Sequence, residues 1–161
     1  MRKGMIYIYS GEGHGKSPAA YGRALQTACR GEYVVIIRFL KGRGLSDSEY
    51  VRRMEPEIKI FRFEKSEENF RSLSDERKAE EIYNIKNGLN SGECSLLILD
   101  EVLELLDIDI ISVEELKNLL LCKPEDMDII MTGATSKEAA YSLADEVTKI
   151  ETSEGQGLKI P

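Results

Sequence analysis

Residues 10–17, which read SGEGHGKS, combine three glycines with a lysine and a serine in a spacing that suits phosphate binding. Glycines let the backbone curl so that successive N–H groups point into one hollow, and the N-terminus of a following helix adds partial positive charge there. Lys16 can reach phosphate oxygens, and the Ser17 hydroxyl can ligate a magnesium ion bound to them. The segment therefore predicts a site for a nucleotide polyphosphate with Mg²⁺.

The loop departs from the strict Walker pattern, because Ser10 stands where that pattern has its first glycine. The alternative interpretation is a glycine-rich turn that only caps a helix. His14, the only histidine, lies at the apex of the loop, and Pro18 falls in the first helical turn, where a missing N–H costs little.

A second signal is the segment 96–101, LLILDE, in which four apolar residues precede an acid pair. In an open α/β sheet, Asp100 would lie at the carboxyl end of a buried strand, beside the phosphate loop. There it can hold magnesium directly or through water, while Glu101 can orient or activate a nucleophile. The alternative is an acid pair that caps the next segment.

Apolar runs alternate with helical patterns along the chain, which favours parallel strands joined by right-handed crossovers. We therefore expect a three-layer α/β fold like that of the phosphate-loop NTPases, with a mostly parallel central sheet and helices on both faces. Residues 1–150 would form one nucleotide-binding domain and residues 151–161 a loosely held polar tail. The predicted strands cover 4–10, 33–40, 58–63, 95–99, 128–132 and 146–150, and the predicted helices cover 16–30, 74–89, 112–121 and 136–144.

Two further segments carry predictions. Ser112, with Glu115 three residues later, has the spacing of a capping box at a helix start. The apolar segment 102–111, VLELLDIDII, is interpreted either as core or as a wall that faces a ligand or a second subunit.

The chain has 161 residues, with 22 Lys and Arg against 29 Asp and Glu, so its formal net charge is −7. An acidic surface repels nucleic acids and anionic membranes, which argues against both as partners. The chain begins without a signal-peptide pattern and has no apolar stretch of 18 residues. These features, together with the wide spacing of the three cysteines, predict buried, reduced thiols in a cytoplasmic protein.

Five ordered blocks resemble the corrinoid adenosyltransferases that carry a phosphate loop. That family shows G-x-G-x-G-K-T-T-A-A, then Q-F-x-K-G, L-D-E, a V-E-E helix with T-G-R, and A-D-x-V-T-E. This chain has GEGHGKSPAA at 11–20, RFLKG at 38–42, LDE at 99–101, VEE at 113–115 with TGA at 132–134, and ADEVTK at 144–149. The resemblance covers about residues 4–150.

The resemblance implies that ATP, with Mg²⁺, donates its 5′-deoxyadenosyl group to the Co(I) of a corrinoid and that triphosphate leaves. It also implies a flavoprotein-type reductase as a partner, and a homodimer. Lys16 and Glu101 are the implied catalytic residues, and Ser17 and Asp100 the implied metal ligands. The implied nucleotide-binding set is Gly11, Glu12, Gly13, His14, Gly15, Lys16, Ser17, Pro18 and Lys41.

Several positions differ from the family pattern and leave two alternatives open: a phosphate-loop ATPase or kinase, and a nucleotide-binding module without corrinoid chemistry. The chain has no Trp to place beside a corrin, and Phe63 and Phe70 are the nearest candidates. The basic run from Arg38 to Arg53 is either a ligand-collecting patch or a solvated face. The differing positions are His14, Pro18, Gln26, Arg38 and Ala134.

Overall fold

The computed structural model describes residues 2–39, 52–62 and 75–158. The strands are β1 (Ile6–Ser10), β2 (Tyr33–Arg38), β3 (Ile58–Arg62), β4 (Cys94–Asp100), β5 (Asp128–Thr132) and β6 (Glu146–Lys149). The helices are α1 (Lys16–Ala28), α2 (Asp75–Leu89), α3 (Glu104–Asp107) and α4 (Val113–Leu120), with a 3₁₀ helix at Glu138–Leu143.

The strands form one sheet in the order β3-β2-β4-β5-β1-β6, and every neighbouring pair is parallel. Parallel strands all end at the same edge of a sheet, so the residues that follow β1, β4 and β5 meet there. This confirms the predicted α/β fold and brings the end of β4 next to β5, and β5 next to β1.

Helices cover both faces of the sheet because alternate strand residues point to opposite sides. Tyr7 and Tyr9 pack on one face against Ala20 and Ala24 of α1. Ile8 points to the other face, whose core includes side chains from α2, α3 and α4. The central strands are apolar on both faces, as a sheet between two helical layers requires.

The segment 102–111 belongs to the core. Six of its seven apolar residues are at most 2% exposed and only Ile108 is exposed, at 38%, so the segment serves mainly as core. The six buried residues are Val102, Leu103, Leu105, Leu106, Ile110 and Ile111. The short helix α3 lies within this segment and was not predicted, because one turn is too short for a periodic pattern.

Most element boundaries differ from the predictions by one or two residues. Helix α1 ends at Ala28 rather than at residue 30, and Gly31 (φ +76°) follows in the left-handed region that ends many helices. Strand β2 ends at Arg38 rather than at residue 40. The predicted helix 136–144 is a 3₁₀ helix over Glu138–Leu143.

The predicted capping box is confirmed at the start of α4. The Ser112 hydroxyl accepts from the Glu115 N–H at 3.1 Å, and the Glu115 carboxylate accepts from the Ser112 N–H at 2.8 Å. These two bonds satisfy donors that a helix N-terminus otherwise leaves unpaired.

The cysteines follow the prediction only in part. All three are free thiols, but Cys29 and Cys122 are exposed and only Cys94 is buried. Cys29 follows the last residue of α1 and Cys122 lies just beyond α4, where the chain leaves the core. Among the helices that the structure describes, none is long and apolar enough to cross a membrane.

Candidate functional site

The phosphate loop joins β1 to α1 and lies at the carboxyl edge of the sheet, between the ends of β5 and β6. β1 ends at Ser10, α1 begins at Lys16, and Gly15 is the N-cap. The first-turn N–H groups of α1 have no acceptor within the helix, so they can donate to an anion. This is the strand-to-helix setting that the sequence predicts for the loop.

Lys16 folds back over the loop that precedes it. Its Nζ donates to the carbonyl oxygens of Gly11 (2.7 Å) and Gly13 (2.9 Å). These two bonds hold the ammonium group over the loop, where a phosphate could replace the carbonyl oxygens as its partner.

The loop packs closely against the chain that follows β6. A Cβ atom on Gly11 would lie 2.3 Å from the Ile150 carbonyl oxygen, and one on Gly13 would lie 2.8 Å from the same atom. Gly13 N–H donates to that oxygen at 3.0 Å, and Ile150 N–H donates to the Ser10 carbonyl oxygen at 2.7 Å. Gly11 also has φ +107°, a conformation that favours glycine. The loop thus needs glycine for close approach as well as for its turn.

Asp100 is the best-connected polar group of the site and is only 1% exposed. Its Oδ1 accepts from the hydroxyls of Ser17 (2.7 Å) and Thr132 (2.7 Å), and its Oδ2 accepts from the Tyr21 hydroxyl (2.9 Å). A buried carboxylate needs such partners, because an unpaired one is costly. These bonds tie β4 to α1 and to β5 at the point where the loop begins its helix.

Two residues near Asp100 complete its surroundings. Arg38, at the end of β2, places Nε 3.4 Å from Asp100 Oδ2 and is itself buried. Burial, reinforced by the negative charge of Asp100, raises the pKa of Tyr21 well above its usual value, so its hydroxyl stays a donor.

Glu101 follows Asp100 in a strained backbone conformation, with φ +68° for a non-glycine residue. Its N–H donates to Thr132 Oγ1 at 2.8 Å, and that hydroxyl in turn donates to Asp100. Strain of this kind costs about 1–3 kcal/mol and concentrates at functional sites. The geometry therefore singles out the turn after β4.

Ser17 and Asp100 offer the hard oxygen donors that Mg²⁺ prefers, and they are joined by one hydrogen bond. Because both Asp100 oxygens already have partners, the arrangement favours Ser17 as a direct ligand and Asp100 as a ligand through water. Over residues 2–39, 52–62 and 75–158, no group of three or more His, Cys, Asp and Glu side chains is arranged to hold a metal. The donors fit a metal held mainly by phosphate oxygens and water.

A cavity of about 690 Å³ lies beside the loop, between it and the ends of β5 and β6. Glu12 and His14 line it, together with Thr135, Tyr141 and Lys149. A larger cavity, about 780 Å³, lies between α2 and strands β2 and β3, and contains none of the predicted site residues. Of these two cavities, the smaller one adjoins the phosphate loop.

The predicted site residues are partly brought together. Lys16, Ser17, Asp100 and Glu101 all lie at the carboxyl edge of the sheet. His14 is exposed at the loop apex, and its N–H donates to Thr152 Oγ1 at 3.2 Å. Pro18 lies in the first turn of α1 and is exposed, while Lys41, Phe63 and Phe70 fall outside the described residues.

Sequence reasoning did not single out Tyr21, Thr132 or the segment at Ile150 as parts of the site. Tyr21 could have been found, because it lies four residues after Ser17 and so shares its helix face. Thr132 ends the strand next to β4, but its partner depends on the strand order. Ile150 approaches the loop only because β6 pairs with β1.

Fold and site together define a class: a three-layer α/β protein of the phosphate-loop NTPase-like fold. The family model described as ATP:corrinoid adenosyltransferase BtuR/CobO/CobP matches residues 2–156. The chain belongs to this family, as its resemblance predicted.

Relatives of the chain are similar over most of its length. An uncharacterized protein of Nostoc sp. is 34% identical over 151 residues, which cover 84% of this chain and 40% of that protein. A corrinoid adenosyltransferase of Escherichia coli K12 is 25% identical, covering 92% of this chain and 76% of its own length. A corrinoid adenosyltransferase of Sinorhizobium sp. is 27% identical, covering 92% and 72%. The chain thus spans less than half of the Nostoc protein.

Replacing Gly11 with alanine is expected to lower the free energy of unfolding by about 1–3 kcal/mol, because of the positive φ and the contact with Ile150. Gly22→Ala is the matched control: Gly22 lies inside α1 with open space around its Cβ position. That control should raise stability by about 0.5–1 kcal/mol. Urea unfolding measures both; a Gly11→Ala protein as stable as wild type would contradict the described loop geometry.

Tyr21→Phe removes one donor to Asp100 and is expected to cost about 1.5–3 kcal/mol of unfolding free energy at pH 7.5. The folded protein has the raised pKa, so it keeps the phenol proton where the unfolded chain, with its ordinary value of 10.0, loses it. The contribution is therefore complete below pH 10 and is lost as pH rises above 10.

Urea unfolding at pH 7.5 and at about pH 11 tests this difference, with Tyr83→Phe as the control because Tyr83 is 63% exposed. The difference in unfolding free energy between wild type and Tyr21→Phe should be smaller at the higher pH. The unfolding free energy of the control should stay close to that of wild type at both pH values. A gap that stays constant or widens would contradict the assignment.

Proposed function

We propose that the chain is an ATP:corrinoid adenosyltransferase, which transfers the 5′-deoxyadenosyl group of ATP to the Co(I) of a corrinoid and releases triphosphate. The electron pair of Co(I) forms a bond to C5′ as the C5′–O bond breaks, and the bonding electrons leave with the triphosphate. Family membership and relatives that bear this activity's name support the proposal.

The observation that carries the proposal is the 2.7 Å hydrogen bond between Ser17 and Asp100. It joins the start of the helix after the phosphate loop to a carboxylate on another strand, which is what a metal-bound triphosphate requires. Mg²⁺, when bound there, would neutralise part of the charge on the departing triphosphate. Ser17 would contact it directly, and Asp100 would orient Ser17 and the metal's water.

In this proposal Lys16 is catalytic because it stabilises charge that grows on the leaving group. Its ammonium group already lies over the loop, so it needs only to exchange carbonyl oxygens for phosphate oxygens. The N-terminus of α1 adds a fixed dipole, which costs no reorganisation during the reaction. Gly11, Glu12, Gly13, His14, Gly15 and Pro18 belong to the same loop and helix start.

Glu101 is proposed to lie at the junction between the nucleotide and the corrinoid. Its strained backbone at the end of β4 is the feature that supports this role. No nucleophile from the protein is required, because the corrinoid cobalt attacks ATP itself and the protein has only to position the two partners.

The proposal for the corrinoid half rests on family membership, since Lys41, Phe63 and Phe70 lie outside the described residues. We also propose that the protein is cytoplasmic and acts as a homodimer. A flavoprotein-type reductase would supply the corrinoid in its Co(I) state. Residues 1–150 are proposed to form one domain.

Anaerobic incubation with ATP, Mg²⁺ and chemically reduced cobalamin tests the proposal, followed by visible spectroscopy and analysis of the phosphate products. Wild type is expected to give a cobalt–carbon product and triphosphate in equal amounts. Lys16→Ala should abolish nucleotide binding and with it both products. Lys117→Ala, at an exposed position in α4, is the matched control and should keep full activity.

Two results would contradict the proposal. ADP and phosphate with an unchanged corrinoid spectrum would indicate an ATPase or kinase instead. Tight binding of ATP with neither product would indicate a nucleotide-binding module without corrinoid chemistry.

A further inference from the structure

Arg38 is an unusual residue in the described structure because it is a charged side chain at the end of an apolar strand. β2 reads YVVIIR, and its last five residues are all buried, with Arg38 only 8% exposed. Arg38 and Asp100 are direct Cα partners in the pairing of β2 with β4. The strand register therefore fixes the guanidinium group beside the carboxylate.

The contact between the two groups is an ion pair without a hydrogen bond. Arg38 Nε lies 3.4 Å from Asp100 Oδ2, and this buried N–H has no hydrogen-bond partner among the described residues. The hydroxyls of Ser17, Thr132 and Tyr21 already supply the hydrogen bonds of Asp100. Arg38 thus adds charge to this cluster rather than a further hydrogen bond.

Replacing both members of a buried ion pair with apolar residues is often neutral or stabilising, and a buried N–H without a partner is a cost. A neutral side chain at position 38 would avoid the cost of the unpaired N–H, but it would leave the buried Asp100 carboxylate without a counter-charge. The guanidinium group cannot lose its proton at ordinary pH, so its positive charge is permanent. A role in the electrostatics of the site accounts for an arginine here better than packing does.

We propose that Arg38 is a positioning residue that sets the metal requirement of the phosphate site, as a built-in counter-ion of Asp100. The positive charge of Arg38 balances the negative charge of Asp100. A cation at Ser17 is therefore attracted less strongly by the Asp100 carboxylate. The affinity of the site for Mg²⁺ is therefore lower than it would be without Arg38, and ATP binding depends less on Mg²⁺. This inference rests on the proposed nucleotide site and deepens it.

Arg38→Gln tests the inference because it removes the charge and keeps a side chain that can donate. ATP affinity is measured by isothermal titration calorimetry over a series of free Mg²⁺ concentrations. The variant should reach half-maximal enhancement of ATP binding at a free Mg²⁺ concentration about tenfold lower than wild type. Without Mg²⁺ it should bind ATP more weakly than wild type, because Asp100 then repels the triphosphate.

Two controls separate charge from structure. Arg38→Lys keeps the charge and should keep the wild-type Mg²⁺ requirement. Arg30→Gln removes an arginine whose side chain is 55% exposed, paired with Glu32 on the surface, and should change neither affinity nor Mg²⁺ requirement. A role in packing alone would shift the unfolding temperature of Arg38→Gln without moving its Mg²⁺ midpoint.

If Arg38→Gln does not fold, the same comparison is made between Asp100→Asn and the double variant Arg38→Gln/Asp100→Asn. The double variant carries no unpaired buried charge and should need about tenfold less Mg²⁺ than Asp100→Asn. Equal midpoints with and without Arg38, in a protein that binds ATP, would overturn this inference alone. Wild-type protein that binds no ATP at any Mg²⁺ concentration would overturn the proposed function as well.

Discussion

The buried carboxylate of Asp100 is the constraint on which the arrangement of the site depends. It lies at the end of β4 and receives hydrogen bonds from α1 through Ser17 and Tyr21, and from β5 through Thr132. Arg38 brings the end of β2 to the same point. A carboxylate removed from water must be paired, so these elements cannot move apart without a large cost in free energy. Stability and the position of the phosphate loop are thereby coupled.

The proposed polyphosphate site would lie in an acidic protein. The net charge is −7, yet the loop edge gathers helix N–H groups, the Lys16 ammonium and a pair of metal donors. Each acts over a short distance, and together they outweigh a distant, screened surface charge. In the proposed reaction triphosphate is the leaving group, and the same parts would act on the negative charge that develops on it.

The sequence could predict what local rules govern. The loop, the acid pair, the parallel sheet and the capping box at Ser112 each depend on neighbours within a few residues or on simple alternation. Contacts between distant segments were out of reach: Tyr21 and Thr132 meet Asp100 only because of the strand order, and Ile150 reaches Gly11 only because β6 pairs with β1. The sequence places Arg38 in a basic run, whereas the register of β2 and β4 buries it at the site.

A crystal structure of the protein with ATP and Mg²⁺ bound tests the central claim most directly. We predict that the Ser17–Asp100 hydrogen bond stays intact in this complex and that Ser17 Oγ ligates the metal. Lys16 Nζ should leave the carbonyl oxygens of Gly11 and Gly13 for phosphate oxygens, while Tyr21 and Thr132 keep their bonds to Asp100. Triphosphate bound away from the loop, or Asp100 separated from Ser17 in the complex, would contradict the account.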